Sequence, residues 1–318
     1  MKTLAWRASA VGAIVAVCLG LGGTAVAATP SGKPAASSAA ASMKVGRGPV
    51  EGGGVRRLTS GSSSWSAPSR PQSTPALATT YRQYIAYSNP ITIQPGNWYN
   101  EWGYCPSGMV ATGGGESNSS AGNILLHDDY PVAGNGGWQV TVTSTASVNE
   151  TFTLYAVCMS GLNNYGPIVN KETVAPGQQL EPGVYCPYTT QVLGGGGFSD
   201  TLDTAQVETG IVGTEGWSYL AENLDTVSHT VAAEVMCGND VTNYQVIQTA
   251  TDPIPPGQEG VSVAYCPAGT WVVGGGGWGN DMTMTDSFPI YTNESWQANF
   301  YNYDTVDRYF GVQLVCGN

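Results

Sequence analysis

Apolar and polar residues alternate along several short segments of the chain, and this alternation predicts β-strands. Segments 139–143 and 151–157 alternate with a period of two residues, which puts successive side chains on opposite faces of a strand. Segments 231–236 and 309–315 are rich in the β-branched and aromatic residues that strands favour. Pro-Gly pairs and glycine runs separate these segments as turns. No segment has a helical period, so the sequence predicts an all-β fold.

The strand pattern recurs three times within a unit that two cysteines frame. Each unit contains, in order, a Pro-Gly pair, a Tyr-Cys-Pro motif, a glycine run, a tryptophan and a second cysteine. The tryptophans are Trp138, Trp217 and Trp296. Such self-similarity predicts a tandem or pseudosymmetric fold. We place the three β repeats at residues 83–160, 161–239 and 240–318.

The six cysteines of the repeats predict three disulfides, because a pattern copied three times is most simply explained by a bond copied inside each unit. The predicted pairs are Cys105–Cys158, Cys186–Cys237 and Cys266–Cys316. Six or seven short strands and a private disulfide per unit favour three tandem disulfide-stapled β-sandwich-like repeats. The alternative is one pseudo-threefold β-prism, in which three sheets share a core. The very short junctions between units indicate that the units pack tightly.

The first 82 residues have a different composition from the repeats. Residues 1–27 have the features of a secretory signal peptide: basic Lys2 and Arg7, a short apolar run, and Ala-Val-Ala at positions 25–27. Residues 28–82 are rich in Ser, Ala, Pro and Gly, which predicts a disordered basic arm or a pro-segment. We therefore expect a secreted, extracellular protein, and disulfides persist in that compartment.

Charge excludes two classes of partner. From residue 83 onward only Lys171 and Arg308 are basic, against 22 of the 23 Asp and Glu residues, so the formal charge is 2 − 22 = −20. Nucleic acid and anionic membranes repel so acidic a body. The apolar run of the signal peptide is too short to anchor the chain in a bilayer. We expect neither nucleic-acid binding nor membrane insertion, and partners that are neutral, cationic or bridged by a metal.

The glycine runs at 113–115, 194–197 and 274–277 are expected to pack closely against another group, such as the tryptophan of the same repeat. A phosphate-binding loop needs a helix after the glycines, and none is predicted there. The three equivalent tryptophans are therefore expected in the core.

No residues form a catalytic motif. His127 and His229 occupy non-equivalent positions, no Gly-x-Ser-x-Gly elbow occurs, and every repeat cysteine is assigned to a disulfide. We therefore expect a protein that is not an enzyme.

Tryptophans outside the repeat pattern are the candidate ligand-binding residues. Exposed Trp or Tyr beside Asp, Asn and Gly is typical of sugar binding, because the ring stacks on the sugar while the polar groups bind its hydroxyls. Two such tryptophans precede the first repeat cysteine and two flank the third glycine run. These four are Trp98, Trp102, Trp271 and Trp278.

Acidic residues recur loosely when the three core tryptophans are aligned. Aligning them places Asp128-Asp129 against Val207-Glu208 and Asp286-Ser287. Carboxylates with neighbouring Asn, Ser and carbonyl oxygens suit Ca²⁺. Asp128, Asp129, Glu208 and Asp286 are therefore the candidate metal ligands, and no other cofactor is expected.

The pattern C-P-x-G, G-G-G, G-W and A-V-C in the first repeat resembles a module of uncharacterised secreted proteins from filamentous soil bacteria. The resemblance rests on segments 105–108, 113–115, 137–138 and 156–158, and it covers about residues 84–318. The second repeat departs from it at Tyr188 and Thr190. The resemblance implies export and β structure. Repeat number and cysteine use are also similar to the threefold vitelline-membrane outer-layer β-prism.

These observations predict a secreted, non-catalytic binding or surface protein. Its most concrete version is a multivalent binder of carbohydrate or of a cell-surface polymer, because three linked weak sites gain avidity. One alternative is a protease inhibitor or protease-regulating protein, which acts on a protein partner, since Pro253, Pro255 and Pro256 stiffen a loop. Another alternative is a structural component of an envelope.

Overall fold

The computed structural model describes residues 83–318 except for positions 107, 121, 133–135, 214 and 291–293. The predicted signal peptide and basic arm lie outside the described residues. Strands and turns make up the described chain, in which no helix has the length and apolarity that crossing a bilayer requires.

Each repeat contributes six or seven strands. The first repeat contains β1 (Gln83–Tyr87), β2 (Ile91–Ile93), β3 (Trp98–Tyr104), β4 (Val110–Asn118), β5 (Ile124–Pro131), β6 (Gly137–Ser144) and β7 (Glu150–Met159). The second contains β8 (Asn163–Val174), β9 (Gln179–Leu180), β10 (Gly183–Tyr185), β11 (Gln191–Ser199), β12 (Thr204–Val212), β13 (Gly216–Asn223) and β14 (His229–Asn239). The third contains β15 (Gln245–Gln248), β16 (Glu259–Tyr265), β17 (Trp271–Gly279), β18 (Thr283–Ile290), β19 (Ser295–Tyr301) and β20 (Phe310–Gly317).

These strands form three antiparallel sheets, and each sheet combines strands of two repeats. Sheet I has the order β1-β7-β4-β18-β19-β16, with β2 also paired to β7, and joins repeats one and three. Sheet II has the order β3-β6-β5-β11-β14-β8 and joins repeats one and two. Sheet III has the order β10-β13-β12-β17-β20-β15, with β9 also paired to β13, and joins repeats two and three. The same strand order in all three sheets gives the molecule a pseudo-threefold axis.

This strand order selects between the two architectures that the sequence allows. The all-β class and the three disulfides within repeats are confirmed. The arrangement, however, is the shared pseudo-threefold core of the β-prism alternative and not three separate sandwiches. The physical reason is that each repeat divides its strands between two sheets, so no repeat encloses a core of its own.

Each disulfide links the two sheets to which its repeat contributes. Cys105 follows β3 of sheet II and is bonded to Cys158 in β7 of sheet I. Cys186–Cys237 joins sheets III and II in the same way, and the third disulfide joins sheets I and III. The three bonds therefore close a ring around the prism.

The three glycine runs meet near the pseudo-threefold axis. A Cβ added to Gly113 would lie 2.9 Å from the Cα of Gly274, and one added to Gly274 would lie 2.9 Å from the Cα of Gly194. Strands β4, β11 and β17 can approach this closely only because their side chains are absent.

The next glycine of each run lies against the core tryptophan of the same repeat. A Cβ on Gly195 would lie 2.4 Å from Cγ of Trp217, and one on Gly275 would lie 2.5 Å from Cδ2 of Trp296. All three core tryptophans are fully buried. The predicted packing of glycine against tryptophan is thus confirmed.

Candidate functional site: the outer face of sheet II

Strand β3 is the edge of sheet II, and its side chains alternate between the core and the surface. Tyr99 and Gly103 are opposite Val142 and Trp138, which are buried in the core. Glu101, opposite buried Val140, has the same orientation as Tyr99 and Gly103. The alternate residues of β3 therefore face outward, because successive side chains of a strand point to opposite faces. These outward residues are Trp98, Asn100, Trp102 and Tyr104.

Three of these outward residues are aromatic, and we call Trp98, Trp102 and Tyr104 the aromatic strip. Trp98 is 42% exposed and Tyr104 is 53% exposed, while Trp102 is half-buried between them. Six residue steps of an extended strand separate the ends of the strip, which makes it about 20 Å long. Its apolar rings thus form a line on the surface of the sheet.

Uncharged polar residues line the strip. Gln139, Thr141 and Thr143 of β6 are opposite Trp102, Asn100 and Trp98. In the part of the chain that the structure describes, Asn100 Oδ1 and Thr143 Oγ1 are buried without a hydrogen-bond partner. An unpaired buried oxygen costs free energy, so rotation of either side chain toward a ligand donor would be favourable.

The polar row continues into a second aromatic group on β5 and β11. Gln139 Nε2 donates a hydrogen bond of 2.6 Å to the hydroxyl of Tyr130, whose ring centroid lies 4.7 Å from that of Phe198. Lys171 Nζ lies 5.2 Å from the centroid of the Phe198 ring. The outer face therefore carries aromatic side chains on both sides of the β6 row, and the outward residues of β6 between them are uncharged.

Two carboxyl groups with raised pKa values lie on the same face. Burial raises the pKa of Asp128 to about 6, against the hydrogen bond from the backbone of Ser199. Burial also raises the pKa of Glu234 to about 7, against the attraction of Lys171. Both carboxyl groups border the second aromatic group and not the strip, since they belong to β5 and β14.

The aromatic strip occurs once in the described structure, although the fold repeats three times. In sheet I the corresponding edge strand β16 carries Glu259, Val261 and Val263 at the positions of Trp98, Asn100 and Trp102. In sheet III the corresponding strand β10 has three residues. Only the tyrosine of the Tyr-Cys-Pro motif recurs: Tyr104, Tyr185 and Tyr265 are 53%, 58% and 68% exposed.

The other two predicted ligand-binding tryptophans lie on sheet III. Trp271 begins β17 and is half-buried, as is Trp278 near the end of that strand. The indole Nε1 of Trp278 donates a hydrogen bond of 3.0 Å to the carbonyl oxygen of Thr249. The structure thus brings Trp98 and Trp102 together but separates them from Trp271 and Trp278.

Three of the predicted metal ligands occupy equivalent positions where two repeats meet. At each of these seams a carboxylate that follows a β-bulge accepts a hydrogen bond from a backbone N–H of the neighbouring repeat. The bonds are Ser199 N to Asp128 Oδ1 at 2.8 Å, Gly279 N to Glu208 Oε2 at 2.8 Å, and Asn118 N to Asp286 Oδ1 at 2.7 Å. The contacts show that these acids bind the repeats to one another.

The alignment on tryptophan puts Glu208 one position away from its structural equivalents. Pro131 pairs with Trp138 across its hairpin, whereas the equivalent pair of repeat two is Ile211 and Trp217. The second hairpin is therefore one residue shorter, since 217 − 211 = 6 and 138 − 131 = 7. This deletion brings Glu208 to the position of Asp128.

Asp129 points the opposite way from Asp128, into the core. It lies beside Glu116, another fully buried acid, and burial raises the pKa of both carboxyl groups well above their ordinary values. The four predicted ligands therefore lie at three seams and in the core. Across the described residues, no three side chains of His, Cys, Asp and Glu are grouped so as to hold a metal ion.

Cationic side chains join turns at equivalent positions of repeats two and three. His229 lies between Asp225, with Nε2 to Oδ2 at 2.9 Å, and Asp200, with Nδ1 to Oδ1 at 3.0 Å. Arg308 contacts Asp304 and Asp281 in the same manner, at 3.0 Å for the latter. The hydrogen bond to Asp225 is the main cause of the raised pKa of His229. The ion pairs of the His229 turn thus depend on pH near neutrality, whereas those of the Arg308 turn do not, because arginine stays charged.

The proline-rich segment of the inhibitor alternative is paired to the body. Ile254 N donates to Arg308 O at 2.7 Å, and Arg308 N donates to Ile254 O at 3.0 Å. The side chain of Asn302 also donates to Ile254 O at 2.8 Å. An inhibitory loop offers its backbone to the enzyme cleft, whereas the backbone groups of Ile254 are already paired.

Comparison with models of known protein families and with curated proteins gave no match to this chain. The resemblance to secreted bacterial modules therefore stays a prediction.

Sequence reasoning selected two members of the aromatic strip and missed the rest of the face. The repeat pattern accounts for Tyr104 as part of the Tyr-Cys-Pro motif, and it does not single out Asn100 or Thr143. The signal that identifies them is the period of two among Trp98, Asn100, Trp102 and Tyr104, which lie on one face of β3.

Proposed function

We propose that this protein binds a carbohydrate polymer, without catalysis, on the outer face of sheet II. The observation that carries the proposal is the aromatic strip of Trp98, Trp102 and Tyr104 on one face of an edge strand, beside uncharged hydrogen-bonding groups. A cell-wall or other cell-surface polysaccharide is the corresponding partner if the chain is secreted as the sequence predicts.

The combination of groups matches the chemistry of a sugar. A pyranose ring has an apolar face of C–H groups, which packs on an indole or phenol ring, and a rim of hydroxyls, which needs donors and acceptors. Asn100 Oδ1 and Thr143 Oγ1 are acceptors without a partner in the described structure. The stacking rings and the acceptors therefore lie within one side-chain length of each other.

Binding without reaction suits these groups. Indole, phenol, amide and hydroxyl side chains neither gain nor lose a proton near neutral pH, so they orient a sugar without supplying an acid or a base. The raised-pKa acids Asp128 and Glu234 lie on the other side of the polar row.

The test is a binding screen with variants of the strip. The full chain and its Trp98→Ala and Trp102→Ala variants would be titrated against soluble polysaccharides and mixed with insoluble cell-wall preparations. We expect the wild-type chain to bind and each variant to lose about fivefold in affinity, because stacking on one ring contributes about 1 kcal/mol.

The matched control is Tyr188→Ala, which removes a ring that is 93% exposed in the second repeat, away from the strip. It should bind as the wild type does. Equal weakening by all three substitutions, or no binding of any glycan by a folded wild-type chain, would remove the proposal. Thermal melting of every variant checks that each one is folded.

A further inference from the structure

We infer that the ligand of the aromatic strip is a linear, uncharged glycan that lies along β3 and occupies it with at least three sugar units. This inference rests on the proposed function and specifies its ligand. It follows from the length of the strip, from the exposure of its ends and from the charge around it.

The length of the strip sets the minimum length of the ligand. Trp98 and Trp102 are four residues apart on an extended strand, so their Cα atoms are separated by about 14 Å. Tyr104 extends the line to about 20 Å from Trp98. A single pyranose ring covers one aromatic ring, and a sugar stacked on each tryptophan leaves room for another between them. Asn100 faces outward at that middle position, with an amide oxygen that lacks a partner in the described structure.

The exposure of the strip favours the interior of a polymer over a chain end. Trp98 and Tyr104, at the two ends, are 42% and 53% exposed, and Trp102 in the middle is half-buried. A site for a terminal sugar is closed on one side, whereas this strip is most open at both ends. A glycan chain can therefore enter over one end and leave over the other.

The direction of the ligand follows from the position of β3. It is the last strand of sheet II, and its outward residues follow one another along the strand and not across the sheet. Across the sheet the ring of Trp102 is followed by Gln139, which is polar. The next ring in that direction, Tyr130, is bonded to Gln139 and feels the negative charges of Asp128 and Glu234. Rings without a neighbouring acid on this face therefore follow one another along β3.

Charge excludes acidic glycans. The outward residues of β3 and the three opposite residues of β6 carry no formal charge. The charged groups of this face, Asp128, Glu234 and Lys171, belong to β5, β14 and β8. The acid of β3 itself, Glu101, alternates to the opposite face, where it is opposite Val140. The described body also carries a large net negative charge, which repels uronic acids and phosphate polymers.

The experiment is a calorimetric titration of the full chain with oligosaccharide ladders. Two ladders are neutral, β-linked glucose and β-linked N-acetylglucosamine from one to six units, and a third is oligogalacturonate. We expect affinity for at least one neutral ladder to rise about tenfold between the disaccharide and the tetrasaccharide and then to level off. Oligogalacturonate should bind more weakly at every length.

Variants separate this inference from the proposed function. Trp98→Ala should abolish the gain from the added units while leaving the affinity for the disaccharide within about twofold, and Tyr188→Ala should leave the whole ladder unchanged. Equal affinity for one and six units, or preference for oligogalacturonate, would overturn the inference while glycan binding itself stood. Absence of binding to every glycan in the broader screen would instead overturn the proposed function.

Discussion

Substitution of Gly195 by alanine tests the packing of the glycine runs most directly. The added Cβ would lie 2.4 Å from Cγ of Trp217 and 2.5 Å from the carbonyl oxygen of Glu234. Both distances are far below van der Waals contact, and the backbone fixes the position of a Cβ, so no rotamer relieves the overlap. Trp217 cannot move freely because it is fully buried and its Nε1 donates to Thr209 Oγ1 at 2.7 Å.

The expected destabilisation is at the upper end of the range for overpacked cores. One extra methylene in a packed core costs about 1–3 kcal/mol, and here one of the two obstacles is backbone. We therefore expect a loss of about 3 kcal/mol in the free energy of unfolding. For a body of 318 − 82 = 236 residues this lowers Tm by about 6–12 °C.

The assay is differential scanning calorimetry of the disulfide-bonded chain, with urea unfolding as the second measurement. The matched control is Gly166→Ala in β8, where an added Cβ would meet nothing within 4 Å and φ is not in the left-handed region. That substitution should change stability by less than about 1 kcal/mol. If the Gly195→Ala and Gly166→Ala variants had the same Tm, close packing of Trp217 would not require glycine at position 195.

Three further predictions concern bonds between strands and repeats. Replacing Cys186 and Cys237 together with alanine should lower the unfolding free energy by about 4 kcal/mol, as urea unfolding would measure, because that bond closes a loop with a sequence separation of 51 residues; an unchanged midpoint would contradict this. Burial raises the pKa of Glu208 to about 7, so the folded state favours its protonated form. The resulting contribution to the free energy of unfolding is complete below about pH 4.5 and is lost as pH rises towards 7. Between pH 4.5 and 7.5 the unfolding free energy of the Glu208→Gln variant should therefore vary by up to about 3 kcal/mol less than that of the wild type. If the two stability profiles had the same pH dependence, the raised pKa of Glu208 would be refuted. The pKa of His229 is raised mainly by its hydrogen bond to Asp225, so an NMR titration should give a midpoint above the ordinary value of 6.5. Hydrogen-exchange protection of the His229 turn should fall as pH rises through that midpoint, because the imidazole then loses its charge. The His229→Arg variant keeps its charge, so its protection should not depend on pH.

The strand content, the repeat and the disulfides could be predicted because each leaves a local or periodic pattern in the chain. Alternation of side chains identifies a strand within a few residues, and a threefold cysteine pattern indicates three equivalent bonds. The packing of Trp217 against glycine could also be expected, because glycine in a strand implies that another group approaches closely.

The candidate site could be predicted only in part. Trp98 and Trp102 stand outside the repeat pattern, and so do Trp271 and Trp278, which lie on another sheet. Composition does not reveal which non-equivalent tryptophans share a surface. The role of Glu208 at a seam was hidden by a one-residue deletion in a hairpin, which shifts the alignment without changing the fold.

The sequence by itself determined the all-β class, the triplication and the disulfide pairing, since these depend on residue type and spacing along one chain. Only the tertiary structure decided that each repeat divides between two sheets, because the partner of an edge strand is chosen by burial of distant surfaces and not by local pattern. The same choice turns β3 outward beside β6 and forms one aromatic strip from a fold that repeats three times. Symmetry of the backbone is encoded by what the repeats share, whereas the candidate site arises from what the first repeat does not share with the others.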